Sequence, residues 1–373
     1  MYRCVVVRRF APIAPLRVGG MAALGCSRRY AQQQQGRPVV GQRAHSSVVT
    51  RLRGSLTTNA ANDVVVVQHQ DGTLHSTPFH VRFGGGAAVE NSLVSIEVNG
   101  ALTTASMRVG PYGMAYWPGG SVDATNCKGD QHATGGPCSV DLTSLGLVSG
   151  ENTLSFRLLP PPPSSDAEAA SVVTCNLFVW PHDAKIVVSD VDGTITKSDV
   201  LGHIMPLFGK DWTHAGLCSL YSRIADNDYE FVYLTARSLA HQKRTKEFLW
   251  SIDQEGGKTT LPRGPVLTAP DSVATALVRE ISMKSDVFKT SCLETIVRAF
   301  PKGSSPLCGG FGNRSGDYAS YRAVNIPQDN IFVVNAKSII YVDGDKQRQT
   351  TYDKLLLDVN QLFPPLPTTT ETQ

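Results

Sequence analysis

Residues 189–199 read "SDVDGTITKSD" and follow directly on the run "KIVV". A short apolar run that stops at acids and an Asp-Gly pair reads as a buried strand ending in a turn. Asp190 and Asp192 therefore emerge at a strand's carboxyl end. Downstream the texture alternates strand and helix. The strands are "AKIVVSD", "YEFVYLTAR", "GPVLTAP", "LCGGFGN" and "NIFVVN". Between them lie helical stretches from "SDVLGHIMPLF" to "LCSLYSRIADN", from His241 to Trp250, over "ATALVREI", over "KTSCLETIVRAF" and over "GDYASYRAV". Such alternation predicts α/β architecture, a parallel sheet covered by helices on both faces. Ligands of such sheets sit at the carboxyl ends, near the point where strand order reverses.

Upstream the texture is strand and turn. "DVVVVQH", "LHSTPFHVRFG", "VSIEVNG", "ASMRVG", "GMAYW", "NTLSFRLL" and "SVVTCNLFVW" are separated by Gly, Asn and Asp turns. This predicts a small β-sandwich. "PPPPSSDAEAA", residues 160–170, reads as an exposed connection between two of its strands. At 373 residues the chain accommodates two modest domains plus tails.

The net charge of +3 conceals an asymmetry. Residues 1–62 carry ten Arg, no Lys and no acid, which leaves the rest of the chain at −7. The acid-free, Arg-rich segment 1–38 has the composition of an organellar transit peptide, and equally that of a disordered extension or a leader upstream of Met21. No run of about 18 apolar residues exists, so no transmembrane segment is expected. Eight dispersed Cys without a CxxC pair fit a reducing compartment and argue against zinc; Cys127 and Cys138 are spaced to pair with each other or, the preferred reading, to stand as free thiols in a loop.

Two carboxylates one residue apart repel, and one pKa climbs unless a cation neutralises them. A hard divalent ion answers this, Mg2+ before Ca2+, because the ligand set is small and leaves room for water and phosphate. Gly193 and Thr194 permit a tight turn whose N–H groups can face an anion. An ordinary Asp-Gly turn would look the same, so the other strand ends decide. "VYLTAR" offers the Thr235 hydroxyl. "DVFKT" puts Lys289 at a helix start, where a cation opposes the helix dipole unless an anion lies near. "GFGNRSGDYASY" spaces Asn313 and Asp317 so that they converge if the turn goes helical.

In this order "DVDGT", Thr235, a lysine and an acid-amide pair resemble the four motifs of the haloacid-dehalogenase-type phosphatases, whose catalytic domain is Rossmann-like. The blocks "SDVDGTITKSDVLGHIMPLFGKDWTHAGLCSLY" and "FGNRSGDYASYRAVNIPQDNIFVVN" resemble the catalytic domain of lipins, magnesium-dependent phosphatidate phosphatases. "DGTLHSTPFHVRFGG…VSIEVNG", with Gly84, resembles the lipin amino-terminal domain. The resemblance covers roughly residues 39–362. It implies an immunoglobulin-like sandwich over 39–180, a catalytic domain over 181–362 and a tail over 363–373. The long low-complexity middle region of animal and fungal relatives is absent, so regulation by phosphorylation of that region is not carried over.

Carried over residue by residue, Asp190 is the nucleophile and Asp192 the acid that protonates the leaving alkoxide and later activates water. Mg2+ is held by the Asp190 side chain, the Asp192 carbonyl, and Asn313 or Asp317. Lys289 neutralises the phosphoryl oxygens, with Lys284 as its alternate. Arg237 reaches the lipid phosphate or pairs with a structural carboxylate. The expected product is diacylglycerol, within glycerolipid synthesis. The expected location is cytosol and the endoplasmic reticulum surface, or mitochondrion or another organelle if 1–38 is a transit peptide. No nucleic-acid partner is expected.

Val40, Ala44, Val48, Leu52 and Leu56 fall at i+4 steps with Arg43, Arg51 and Arg53 among the polar positions. This reads as a basic amphipathic helix over 39–56 suited to a phosphatidate-bearing membrane, or as a helix packed on the sandwich. Two rival functions stand beside the phosphatase. One is a catalytically silent phosphatidate-binding module, which Asp192 argues against. The other is a same-mechanism phosphatase for a soluble or protein phosphate, which the long lipin-type block argues against.

Overall fold

The structure is a computed structural model that describes residues 58–84, 90–118, 142–159, 171–197, 212–269 and 281–367. The expected helices over 39–56, 198–208 and 274–281 lie outside the described residues, apart from the last residue of the third, as do the 160–170 connection, Cys127 and Cys138. Within the helix Ile281–Ala299 the side chains of 281–286 are likewise outside them, Lys284 included.

The carboxyl-terminal part is built on a seven-stranded sheet. Its strands are β10 (Lys185–Asp190), β11 (Tyr229–Ser238), β14 (Val266–Ala269), β15 (Leu307–Gly312), β16 (Ile331–Val334), β17 (Ile340–Val342) and β18 (Gln349–Thr350), in the order β14-β11-β10-β15-β16-β17-β18, while β12 (Asp253–Gln254) and β13 (Thr259–Thr260) pair separately as a short antiparallel ribbon. The first five run parallel, and β17 and β18 close one end antiparallel. Residues of β10 and β11 alternate between two cores, as the two-residue period of a strand requires. Val187, Phe231 and Tyr233 face helix α1 (Leu217–Ala225) through Leu217, Leu220, Tyr221 and Ile224. Ile186, Val188, Val232 and Leu234 face helix α3 (Ile281–Ala299) through Leu293 and Ile296. The expected α/β architecture is what forms. Strand order runs outward from β10 in both directions, so the reversal point falls at its carboxyl end, at Asp190.

The amino-terminal strands are β1 (Ala60–Ala61), β2 (Val64–Gln68), β3 (Leu74–Ser76), β4 (Val81–Arg82), β5 (Leu93–Val98), β6 (Ala101–Val109), β7 (Ala115–Tyr116), β8 (Gly150–Leu158) and β9 (Val172–Pro181). Seven of them join in one hydrogen-bonded series, β3-β2-β9-β8-β5-β6-β7, and β1 pairs with β4 alone. A bridge from Arg82 to Met114 draws β4 toward the β7 end, so the series curls over a single core that holds Val64, Phe79, Phe156 and Trp117 together.

The run "VVVV" of β2 shows why these strands do not simply alternate. Val64 and Val66 enter that core, whereas Val65 and Val67 join Trp180, Ile186 and Leu293 in the core beneath α3. Both faces are covered, so every position is apolar. β9 and β10 are separated only by residues 182–184, and the two sheets share buried residues across that turn. Among the described residues no helix is long and apolar enough to cross a membrane.

Candidate active site

Asp190 is the last residue of β10 and is 3 % exposed. Its Oδ1 accepts from Lys289 Nζ at 2.6 Å and its Oδ2 from the Thr194 hydroxyl at 3.2 Å. Lys289 also donates to Asp317 Oδ1. One buried ammonium therefore ties together the end of β10, helix α3 and helix α4 (Ser315–Ala323). Asp317 is positioned by the start of α4. Its Oδ2 accepts from the backbone N–H groups of Asn313 and Arg314, both at 3.0 Å, the use of an early-turn acid that the helix dipole favours.

One sequence expectation is corrected here. Lys289 is not at a helix start, because α3 already runs from Ile281; the anions beside it are Asp190 and Asp317, and the dipole plays no part. Within the "DGT" turn Gly193 donates to the Thr196 hydroxyl, and Thr194, Ile195 and Thr196 all donate to the Val191 carbonyl. Gly193 is needed for its left-handed φ of 86°. Thr194 serves through its hydroxyl on Asp190.

The two aspartates of "DVD" also point to different cations. Asp192 accepts from Thr235 Oγ1 at 2.8 Å and from Arg237, whose Nε lies 3.2 and 3.1 Å from its two oxygens and whose Nη2 lies 2.5 Å from Oδ1. Arg237 is thus the partner of a carboxylate, one of the two roles its position left open. It is held in turn by Thr245 Oγ1 at 3.2 Å on helix α2 (Gln242–Ser251).

Three carboxylates against Lys289 and Arg237 leave one uncompensated negative charge. Burial is the first cause that pushes the Asp190 carboxyl up, to about 7. Asp317 and Asp192 add to it, and Lys289 opposes it. Burial alone would lower the Lys289 pKa, but Asp190 and Asp317 outweigh it and the lysine stays charged. Behind Asp190, Tyr221 bonds Ser189 Oγ at 2.9 Å and Tyr352 donates to the Thr194 carbonyl at 3.2 Å. These supports, and Thr245, were not singled out from sequence. A lone Thr or Tyr on a helix carries no signal until the fold places it.

Gly312 explains the glycine-rich end of β15. A Cβ there would overlap the Cβ of Asp317. Gly312→Ala is expected to push Asp317 off Lys289 and to destabilise the fold by about 1–3 kcal/mol, the usual scale of a forced overlap in a packed interior. A melting curve checks this. A wild-type melting temperature would show that α4 yields without cost.

A parallel sheet with an acid, a lysine and a second acid buried at its reversal point defines a candidate active site of an α/β protein. The chain belongs to the family described as LNS2 (Lipin/Ned1/Smp2), whose model matches residues 134–364; the lipin N-terminal conserved region matches residues 41–133. It is 40% identical over 230 residues to phosphatidate phosphatase PAH1 of Arabidopsis thaliana, covering 61% of this chain and 25% of that protein. It is 40% identical over 229 residues to human phosphatidate phosphatase LPIN3, 61% of this chain and 26% of that one. Phosphatidic acid phosphohydrolase 1 of Saccharomyces cerevisiae matches at 40% over 240 residues, with 60% and 26% covered. The chain thus spans about a quarter of the length of these relatives. The family's second model starts at residue 134, so β8 and β9 belong to it while they pair with strands of the first.

Proposed function

We propose that the protein is a Mg2+-dependent phosphatidate phosphatase that releases diacylglycerol and phosphate in glycerolipid synthesis. The observation that carries this reading is the buried Asp190–Lys289–Asp317 cluster at the reversal point of the sheet, in a chain of this family. A Mg2+ fits the residues present. The donors are hard oxygens, the site carries one negative charge in excess, and two carboxylates with water and phosphate suffice for this ion. Among the described residues no larger His/Cys/Asp/Glu cluster is gathered. Asp190, the Asp192 carbonyl, Asp317 and Asn313 would hold the ion, which when bound polarises the phosphoryl group and offsets its charge.

The chain's own residues do the rest. An Asp190 oxygen attacks phosphorus while the bond to the glycerol oxygen breaks, and Asp192, which carries a proton at the start of the cycle, gives it to that oxygen. Water then attacks the aspartyl-phosphate, Asp192 takes its proton, and phosphate leaves with Asp190 restored. Thr194 orients Asp190, and Lys289 faces the phosphoryl oxygens. We read the curled amino-terminal sheet as an immunoglobulin-like sandwich, and residues 39–56 as the peripheral contact with membrane.

The test is phosphate release from phosphatidate in mixed micelles, with Mg2+ and with chelator, alongside flotation with phosphatidate liposomes. Activity that needs Mg2+, and co-flotation, are expected. Asp192→Asn should lose about 100- to 10,000-fold in turnover while keeping its metal affinity, because its carbonyl remains. Hydrolysis indifferent to chelator would sink the reading.

A further inference from the structure

Among the described residues β14 is the last strand of its sheet, and the backbone groups of Val266 and Thr268 that face away from β11 have no neighbouring strand there. Two side chains of the amino-terminal part take that place. Asn62 Oδ1 accepts from Thr268 N at 3.0 Å and from its hydroxyl at 2.7 Å, and Asn62 Nδ2 donates to the Thr268 carbonyl at 2.8 Å. Asp63 Oδ2 accepts from Val266 N at 2.9 Å. Thr268 stands opposite Thr235, and Val266 opposite Tyr233, on the strand that carries Thr235 and Arg237.

Asp63 reaches further. Its Oδ1 accepts from Asn176 N on β9 at 2.8 Å, and from Gln242 Nε2 at 3.2 Å and Lys246 Nζ at 2.8 Å, both on α2. Asp63 is 1 % exposed, so its charge is held by these donors and not by water. Thr245, between those two α2 residues in the chain, is the one that accepts from Arg237 Nη1, and Arg237 grips Asp192.

We infer that Asn62 and Asp63 are positioning residues for the reaction. They seat β14 and α2 together, and through Thr245 and Arg237 they set the direction of the Asp192 carboxyl. This rests on the phosphatase reading, and it assigns the amino-terminal part a share in proton transfer. This latch of Asn62, Asp63, Lys246 and Thr245 acts on Asp192 through Arg237, so its contribution falls on the step that needs a correctly aimed acid.

A leaving group of low pKa departs without protonation, whereas an alkoxide needs it. The readout is therefore the ratio of kcat/KM for a soluble aryl phosphate to kcat/KM for phosphatidate in mixed micelles. Asp63→Asn, Lys246→Met and Thr245→Val are each expected to raise this ratio about tenfold or more over wild type, toward the value of Asp192→Asn. Thr245→Val is nearly isosteric and decides if Asp63→Asn yields no folded protein. Parallel loss on both substrates, or an unchanged ratio in Thr245→Val, overturns the latch. If Asp192→Asn shifts the ratio and the latch variants do not, the latch alone fails. If wild type hydrolyses neither substrate, the phosphatase reading fails and takes the latch with it.

Discussion

Asp190→Asn is expected to abolish turnover, by several orders of magnitude, and at the same time to raise the melting temperature of the metal-free protein at pH 8. The first effect follows from chemistry: the amide has no charge with which to attack phosphorus and offers a poor ligand to a cation. The second follows from linkage. Burial first, and Asp317 and Asp192 after it, raise the folded Asp190 pKa from its ordinary 3.8 to about 7. Between those values the folded state binds the proton better than the unfolded state does, so wild-type stability falls as pH rises through that window. Above it the penalty is fully present, of the order of a few kcal/mol. The Asn variant escapes it. Its advantage should be largest at pH 8 and vanish near pH 4, in chelator. Calorimetry of both proteins across that range, with phosphate release beside it, is the check. A variant that melts lower than wild type at pH 8 would mean that the Lys289 bond outweighs the charge excess.

The scaffold was legible because its signals are local. Ile186–Val188 in "KIVV" and Phe231–Leu234 in "YEFVYLTAR" are unbroken apolar runs, as a strand covered on both faces requires, and Val187 and Val188 do point to opposite cores. The Asp-Gly pair marked the end of β10 correctly. The residues of the site were legible as chemistry and not as partnership. Lys289 looked like a helix-start cation because residues 282–288 separated two predicted helices, yet α3 runs unbroken over Ile281–Ala299 and its interior buries the lysine. Asp190 and Asp192 looked like a repelling pair, but the turn sends them to different cations. Asp63 is only the first letter of the strand "DVVVVQH" and Asn62 carries no reading at all, because their partners on β14 lie about 200 residues away and nothing in local sequence announces them. The amino-terminal part follows the same rule. Its strands were readable one by one, whereas their joining in one curled series, with β2 parallel to β9, depends on pairings far apart in the chain.

Lys289→Met should be the most disruptive single change to the folded protein, and its repair by divalent ions should be partial in an informative way. The lysine satisfies Asp190 and Asp317 at once, and all three are nearly fully buried. Methionine fills a similar volume but leaves two carboxylates facing each other with no protein cation between them. Removing one partner of a buried ion pair costs about 3–5 kcal/mol, because the remaining charge cannot be rehydrated. Lys289 is also what holds the Asp190 pKa down, so without it the carboxyl is pushed further up. Turnover should therefore fall by orders of magnitude, the proposed nucleophile holding a proton more tightly and the phosphoryl oxygens facing no ammonium. Adding Mg2+ places a divalent charge against the same two carboxylates, so it should recover much of the melting temperature, and more in the variant than in wild type. It should not recover turnover. Differential scanning calorimetry over a Mg2+ titration, with phosphate release measured on the same samples, separates the two roles. A variant whose stability ignores Mg2+ would show that Asp190 and Asp317 do not share an ion, and recovered turnover would show that the lysine's part is only to balance charge.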